Sequence, residues 1–265
     1  MFEDPAAPIL HDRLPEVPWD AAGTRRLPGT QPLALADWLR VDSAFAAQMA
    51  LRERLLEATP DTVLAEAATD PAREMLETVL DWLPPGYRRD GDRVIRPDGG
   101  AVTIDRDRPL ATLGRLHVAD FCLMEKTGPE HVLTAAVLCF PARWRLAEKL
   151  GRPLTAIHDP VPPYDGEIAA RVQRMFDRMR PEAPLWRVNA ALTDDPRLGQ
   201  PEPNHGRRVA PTGRAGYIRS ERQGLVKLPR SGAVVFSIET RVIRLGALSA
   251  AQAAALAEHP ITEAG

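Results

Sequence analysis

The chain has 265 residues, with 34 Lys and Arg set against 36 Asp and Glu, a formal net charge of −2 and a sequence pI of about 6.3. That balance gives no electrostatic footprint for nucleic acid, and a local pair such as Arg207-Arg208 reads as solvated loop, not a phosphate groove. With 44% apolar and 26% charged residues the composition is that of a globular protein, long enough to bury a core without staples.

Residues 1–33 are proline-rich and aperiodic, and are expected to form an arm packed on the surface. From 34 to 58 the spacing of Leu35, Trp38, Leu39, Phe45, Met49, Leu55 and Leu56 is helical, and 60–83 repeats the sign with Val63, Met75, Leu76, Val79 and Leu80. Asp70 before Pro71 fits an N-cap followed by proline at the first helical position. Two hairpins follow: 93–96 with 101–104 around Pro97-Asp98-Gly99-Gly100, then 121–126 with 131–140 around Thr127-Gly128-Pro129. The run 132–140 is nearly all apolar, which predicts a central strand. A short helix over 144–150 ends at Gly151, and 152–164 holds too many prolines to be regular throughout. Residues 165–179 are an amphipathic helix with Val172, Met175, Phe176 and Met179 on one face.

In 185–193, Trp186, Val188, Ala190 and Leu192 face one side, Arg187 and Asn189 the other. A loop over 194–214 leads to a polar strand, 217–223, with Tyr217, Arg219, Glu221 and Gln223 on one side. A strong strand over 233–243 and a helix over 248–258 close the chain. No internal repeat is present. The expected architecture is α+β: a helical N-terminal region wrapped on an antiparallel sheet of about five to seven strands. A pocket between the inserted helix and the sheet is the natural ligand site.

Cys122 and Cys139 sit in apolar segments and are expected to be buried, reduced thiols; two cysteines are too few for a four-cysteine cluster. Met1-Phe2-Glu3-Asp4-Pro5 lacks signal-peptide features, and no apolar stretch has the length to cross a membrane, so a cytoplasmic, membrane-free protein is expected. His-Glu-x-x-His spacing, Gly-x-Ser-x-Gly, a P-loop and a dinucleotide fingerprint are all missing, which removes hydrolase and nucleotide-dependent readings. Among six histidines His158 stands out: the proline-stiffened segment around Asp159-Pro-Val-Pro can hold an imidazole rigidly against a flat ligand, or the ring can cap the next helix. Arg187, Asn189 and Glu221 form a second group on strands expected to be buried, either as a structural salt bridge or as the lining of a polar pocket. Trp38, Trp144 and Trp186 read as core.

Several runs carry a family resemblance: 113–124, Leu185-Trp-Arg-Val-Asn, Arg219-Ser-Glu-Arg-Gln, Leu228-Pro-Arg-Ser-Gly and, longest, Cys139-Phe-Pro-Ala-Arg-Trp-Arg-Leu-Ala-Glu-Lys-Leu-Gly-Arg-Pro-Leu-Thr-Ala-Ile-His-Asp-Pro-Val-Pro. Across about 27–248 the chain resembles the α-subunit family of haem-dependent oxidative N-demethylases, of dimethylamine monooxygenase type. The resemblance implies a PAS-like fold, with 1–33 as an arm and 34–265 as one haem-binding domain with a helical N-terminal extension. It implies haem b, and oxidation of a small secondary amine such as dimethylamine with O2. NADPH electrons would arrive through reductase subunits, with FMN, a 2Fe-2S cluster and tetrahydrofolate on those partners only. By motif, His158 is the implied proximal iron ligand, Arg187 and Glu221 the distal catalytic pair, and Arg219 a cofactor contact. Where the family has an aromatic residue after the asparagine of Trp-Arg-x-Asn, this chain has Ala190, which would reshape the site. The competing class is a non-enzymatic PAS-like gas or redox sensor that binds haem.

Overall fold

The computed structural model describes residues 3–4, 6–19, 29–67, 69–158, 166–202 and 215–261; the side chains of His158 and of residues 166–169 lie outside it. Its main sheet is built from β1 (Gln31–Pro32), β2 (Leu64–Ala65), β6 (Asp120–Thr127), β7 (Glu130–Val137), β8 (Leu185–Thr193), β9 (Tyr217–Lys227) and β10 (Val234–Arg244). Their order is β1-β8-β9-β10-β6-β7-β2, with every pairing antiparallel. A small sheet of β3 (Arg88–Asp90), β4 (Arg93–Ile95) and β5 (Ala101–Thr103) stands beside it. The α+β class and the antiparallel sheet are as the sequence predicts, and the outline is compatible with a PAS-like fold. Among the described residues no helix is long and apolar enough to cross a membrane.

One face of the sheet carries the main core. Helices α1 (Phe45–Ala58), α3 (Asp70–Asp81) and α4 (Pro109–Leu116) pack there, burying Leu51, Leu55, Met75, Leu76, Val79, Leu110 and Leu113 with Phe121, Leu123, Val137 and Val235. The helical spacing read over 34–58 holds for α1, but residues 35–37 form only a single 3-10 turn. Arg222 explains the break: it donates to the carbonyls of Asp37 at 2.8 Å and Trp38 at 2.9 Å, so these acceptors are claimed by the sheet and cannot continue a helix. Trp38 then turns its indole onto Ser237 at 2.9 Å.

The run 60–83 is likewise divided, into α2 (Pro60–Val63), β2 and α3. The cap of α3 is Thr69, one residue before the expected Asp70; its hydroxyl accepts from Ala72, while Asp70 is solvent-exposed. Helix α4 has no counterpart in the sequence reading. Its eight residues are fewer than the window over which a helical period can be read. Its first turn is held by the Glu66 carboxylate, which accepts from Leu110 and Ala111, each at 2.9 Å. Gly114 lets it approach: a Cβ there would stand 2.7 Å from Val137.

The N-terminal segment is more than a surface arm. Leu14, Val17 and Trp19 are buried against Ala190, Ile218 and Ile243, and His11 donates its backbone N–H to the Val242 carbonyl at 2.8 Å. On the opposite sheet face lie α5 (Leu146–Lys149), α6 (Leu154–His158) and α7 (Gly166–Arg178), whereas α8 (Ala250–Glu258), at the chain's end, packs with Leu14, Val17 and Trp19 on the side of Ala190 and Ile218. Leu146, Leu154, Ile157, Phe176 and Met179 from this insertion bury Cys122, Met124, Ala136, Leu225 and Val234.

Candidate functional site

The face under the insertion is polar where β8 and β9 run together. Side chains of adjacent strands that stand opposite share a face. The register sets Arg187 opposite Gln223, Asn189 opposite Glu221 and Ala191 opposite Arg219, while on β10 Thr240 stands opposite Glu221. The alternation therefore brings together Arg187, Asn189, Arg219, Glu221 and Gln223, all five from the polar sides read in the sequence.

Glu221 is buried and fully engaged. One carboxylate oxygen accepts from Arg219 Nη2 at 3.2 Å and Nε at 3.4 Å; the other accepts from Gln223 at 3.0 Å and Asn189 at 3.5 Å. Arg219 is a strut. Beyond Glu221 it donates to the Leu198 carbonyl, to the Phe140 carbonyl at 2.8 Å and to Thr240 at 3.3 Å. The ion partner of Glu221 is thus Arg219, two residues along the same strand, and not Arg187 across the ladder.

Arg187 is left over. Its Nε is buried and has no hydrogen-bond partner, and no ion pair to it forms among the described residues. Burial pushes its pKa down, with the charge of Glu221 opposing. Lys149, at the end of α5, behaves alike. Its ammonium lies 4.5 Å from the centroid of the Trp144 ring, in the field of Cys122, Glu221 and Glu148, and burial lowers its pKa. Around these cations the wall is apolar and only half-buried: Trp144, Val172, Met175, Leu185 and Phe236.

His158 ends α6, on this side of the sheet; its side chain lies outside the described residues, as do Asp159-Pro160 and the segment 203–214 with His205. The other histidines are committed elsewhere. His117 is wholly buried between Arg40 O and Ala119 N, and burial drives its pKa down to about 3. His131 bonds Gln173 at 2.9 Å and packs on Phe176. Both cysteines are free and buried, with pKa values raised by burial to about 12, so they are neutral thiols, as expected.

Ala190 does not reshape this site. Strand parity turns it to the other face, where it is buried with Leu14, Val17 and Trp19. A cleft of about 630 Å³ lies away from the insertion, lined by His11, Arg13, Arg40, Asp42 and Arg241. There Arg40 pairs with Glu16, and Arg241 with Asp42 and Glu239. Sequence reasoning missed Lys149 and Thr240. Lys149 has no local signal, because only the packing of α5 settles what surrounds its ammonium over the Trp144 ring; Thr240 follows only from the β9–β10 register.

The model of the family described as haem-dependent oxidative N-demethylase, alpha subunit-like, matches residues 29–262, and the chain belongs to that family.

Proposed function

Taking that family as the premise, we propose that this chain is the haem-holding subunit of an oxidative N-demethylase, acting on a small secondary amine of dimethylamine type. In this reading it uses O2 and receives NADPH electrons from a reductase partner. The observation that carries the reading is Arg187: a half-buried guanidinium, one nitrogen without a partner, beside an engaged carboxylate and under an apolar wall. That combination suits a flat, largely apolar group such as haem b lying against the wall, with an N–H donor left over for oxygen, so the residues present fit the cofactor. Haem, when bound, supplies the oxygen and electron chemistry; the protein supplies binding and orientation.

His158 is the residue we assign to the iron, and Arg219 the strut that holds the cofactor side of the pocket. Glu221 receives the ammonium of the amine in exchange for its longest contact, the 3.5 Å donor Asn189; a secondary amine is protonated at neutral pH, and an ion pair in a desolvated site counts for more than one in water. Arg219 and Gln223 orient that carboxylate. Arg187 keeps its N–H donors free for the oxygen substrate. With only two cysteines, both buried, this chain leaves a four-cysteine cluster to a partner.

Haem titration of the purified chain tests this. His158→Ala is expected to abolish the bound-haem spectrum while far-UV circular dichroism is kept, and Glu221→Gln to keep haem but weaken the spectral response to dimethylamine strongly. A His158→Ala protein that retains haem with an unchanged ligand spectrum would overturn the iron assignment.

A further inference from the structure

Arg219 rests on two backbone carbonyls, those of Phe140 and Leu198. Each of these residues also gives its own N–H to a buried carboxylate: Phe140 to Asp120 at 2.9 Å, Leu198 to Glu3 at 2.7 Å. The two carriers are zipped together. Gln200 donates to the Pro141 carbonyl and Arg143 to the Gln200 carbonyl, each at 2.8 Å, and a Cβ on Gly199 would stand 3.0 Å from the Cys139 carbonyl. Arg219 is thus held in a cradle whose two sides are pinned by Asp120 and Glu3.

Asp120 has a counter-ion in Arg52. Glu3 forms no ion pair among the described residues, although it is only 8% exposed and burial raises its pKa. Its other carboxylate oxygen accepts from the Ile9 N–H at 3.2 Å. A neutral acceptor would satisfy the Leu198 N–H without burying a charge, and buried carboxylates are rare unless paired. What the carboxylate adds is a bond roughly twice as strong. Docking the N-terminal segment does not need it, because Leu14, Val17 and Trp19 already anchor that segment in a core of their own.

We infer that Glu3 is a positioning residue for the site beneath the insertion: it fixes Leu198, whose carbonyl aims Arg219, and Arg219 holds Glu221. The N-terminal segment is therefore part of the site. The link from Glu3 to Arg219 stands on the hydrogen bonds alone; its effect on the cofactor rests on the function proposed above. The rival reading makes Glu3 a staple that closes residues 3–9 and does nothing for Arg219.

The test uses the full-length protein, its Glu3→Ala, Glu3→Gln and Arg219→Ala variants and the Glu3→Ala, Arg219→Ala double variant. His11→Ala is the control, since it loosens the same segment where it meets Val242. Circular dichroism confirms folding. Hydrogen exchange of the Arg219 Nε–H, assigned by its absence in Arg219→Ala, is followed by NMR, and haem affinity by absorbance. Glu3→Ala should speed the Arg219 exchange about tenfold, the effect of one charge-assisted bond. Glu3→Gln keeps one acceptor oxygen for Leu198 and should speed it about threefold, so it decides the matter if the alanine variant does not fold. His11→Ala should leave it at the wild-type rate. Haem affinity should fall about tenfold in Glu3→Ala, and the double variant should bind haem no more weakly than Arg219→Ala, because both substitutions break one chain of contacts. An Arg219 exchange rate that the Glu3 variants leave unchanged overturns the inference. Equal acceleration in His11→Ala does so too, and so do additive losses of haem affinity in the double variant. A wild type that binds no haem would sink the proposed function alone, and the exchange rates then decide the role of Glu3.

Discussion

Asp120→Ala is the substitution whose consequences reach furthest from core to site. Asp120 and Arg52 form an ion pair at 2.6 Å with both side chains 0% exposed. The same carboxylate accepts the backbone N–H of Cys139 at 2.7 Å and of Phe140 at 2.9 Å. Alanine leaves Arg52 with two backbone carbonyls, Gly114 and Val118, and no anion, while its Nη2 already lacks a partner among the described residues. Removing one partner of a buried pair costs about 3–5 kcal/mol. At about 2 °C per kcal/mol for a chain of this length, the melting temperature should fall about 6–10 °C, and further if the two amides find no water. The site should feel the change too, because the Phe140 carbonyl holds Arg219, and Arg219 holds Glu221. Differential scanning calorimetry of Asp120→Ala beside wild type measures the loss. An Arg52→Met, Asp120→Leu double variant, which removes both charges, should recover most of it. A single variant melting within about 2 °C of wild type would refute the reasoning.

Gly224→Ala should cost about 1–3 kcal/mol by urea unfolding, since the new Cβ would stand 2.6 Å from Ser237 Oγ and 3.0 Å from Trp38 Nε1, where those two groups bond each other; an unshifted midpoint would show the contact is soft. His117 makes stability fall with acid. Its folded pKa of about 3 lies below the unfolded value, so its contribution is complete above about pH 6.5 and is lost as pH drops toward 3, reaching about 2 kcal/mol by pH 5. His117→Gln should lose that part of the difference between pH 7 and pH 5, and an unchanged difference would remove His117 as its source. Cys122 and Cys139 should resist a thiol reagent at pH 8 in the folded protein and react on unfolding; rapid labelling of either in the native state would contradict their burial.

Much of the site was legible along single strands. A strand has a period of 2, so the sequence places Arg187 and Asn189 away from Trp186 and Val188, and Arg219, Glu221 and Gln223 together, whatever they pack against. The two cysteines could be read as buried thiols from their apolar neighbours. The hairpins were visible in their turns, and the helix over 166–178 in its 3.6-residue period, because each is a local pattern.

What the chain does not encode locally is which strand meets which, and at what register. That Glu221 is claimed by Arg219 and not by Arg187, that Ala190 serves the far core, and that Lys149 sits over the Trp144 ring at the end of a four-residue helix follow only once β8, β9 and the insertion are packed. Helix α4 stayed hidden because its eight residues are too few for a helical period to declare itself, and its N-terminal hold by Glu66 comes from 44 residues upstream. The turn at 35–38 was decided by Arg222, nearly two hundred positions away in sequence, which takes two carbonyls before a helix can. Local propensity is worth a few tenths of a kcal/mol per residue, and one buried, charge-assisted contact outweighs several of them; wherever the two disagreed, the long-range contact prevailed.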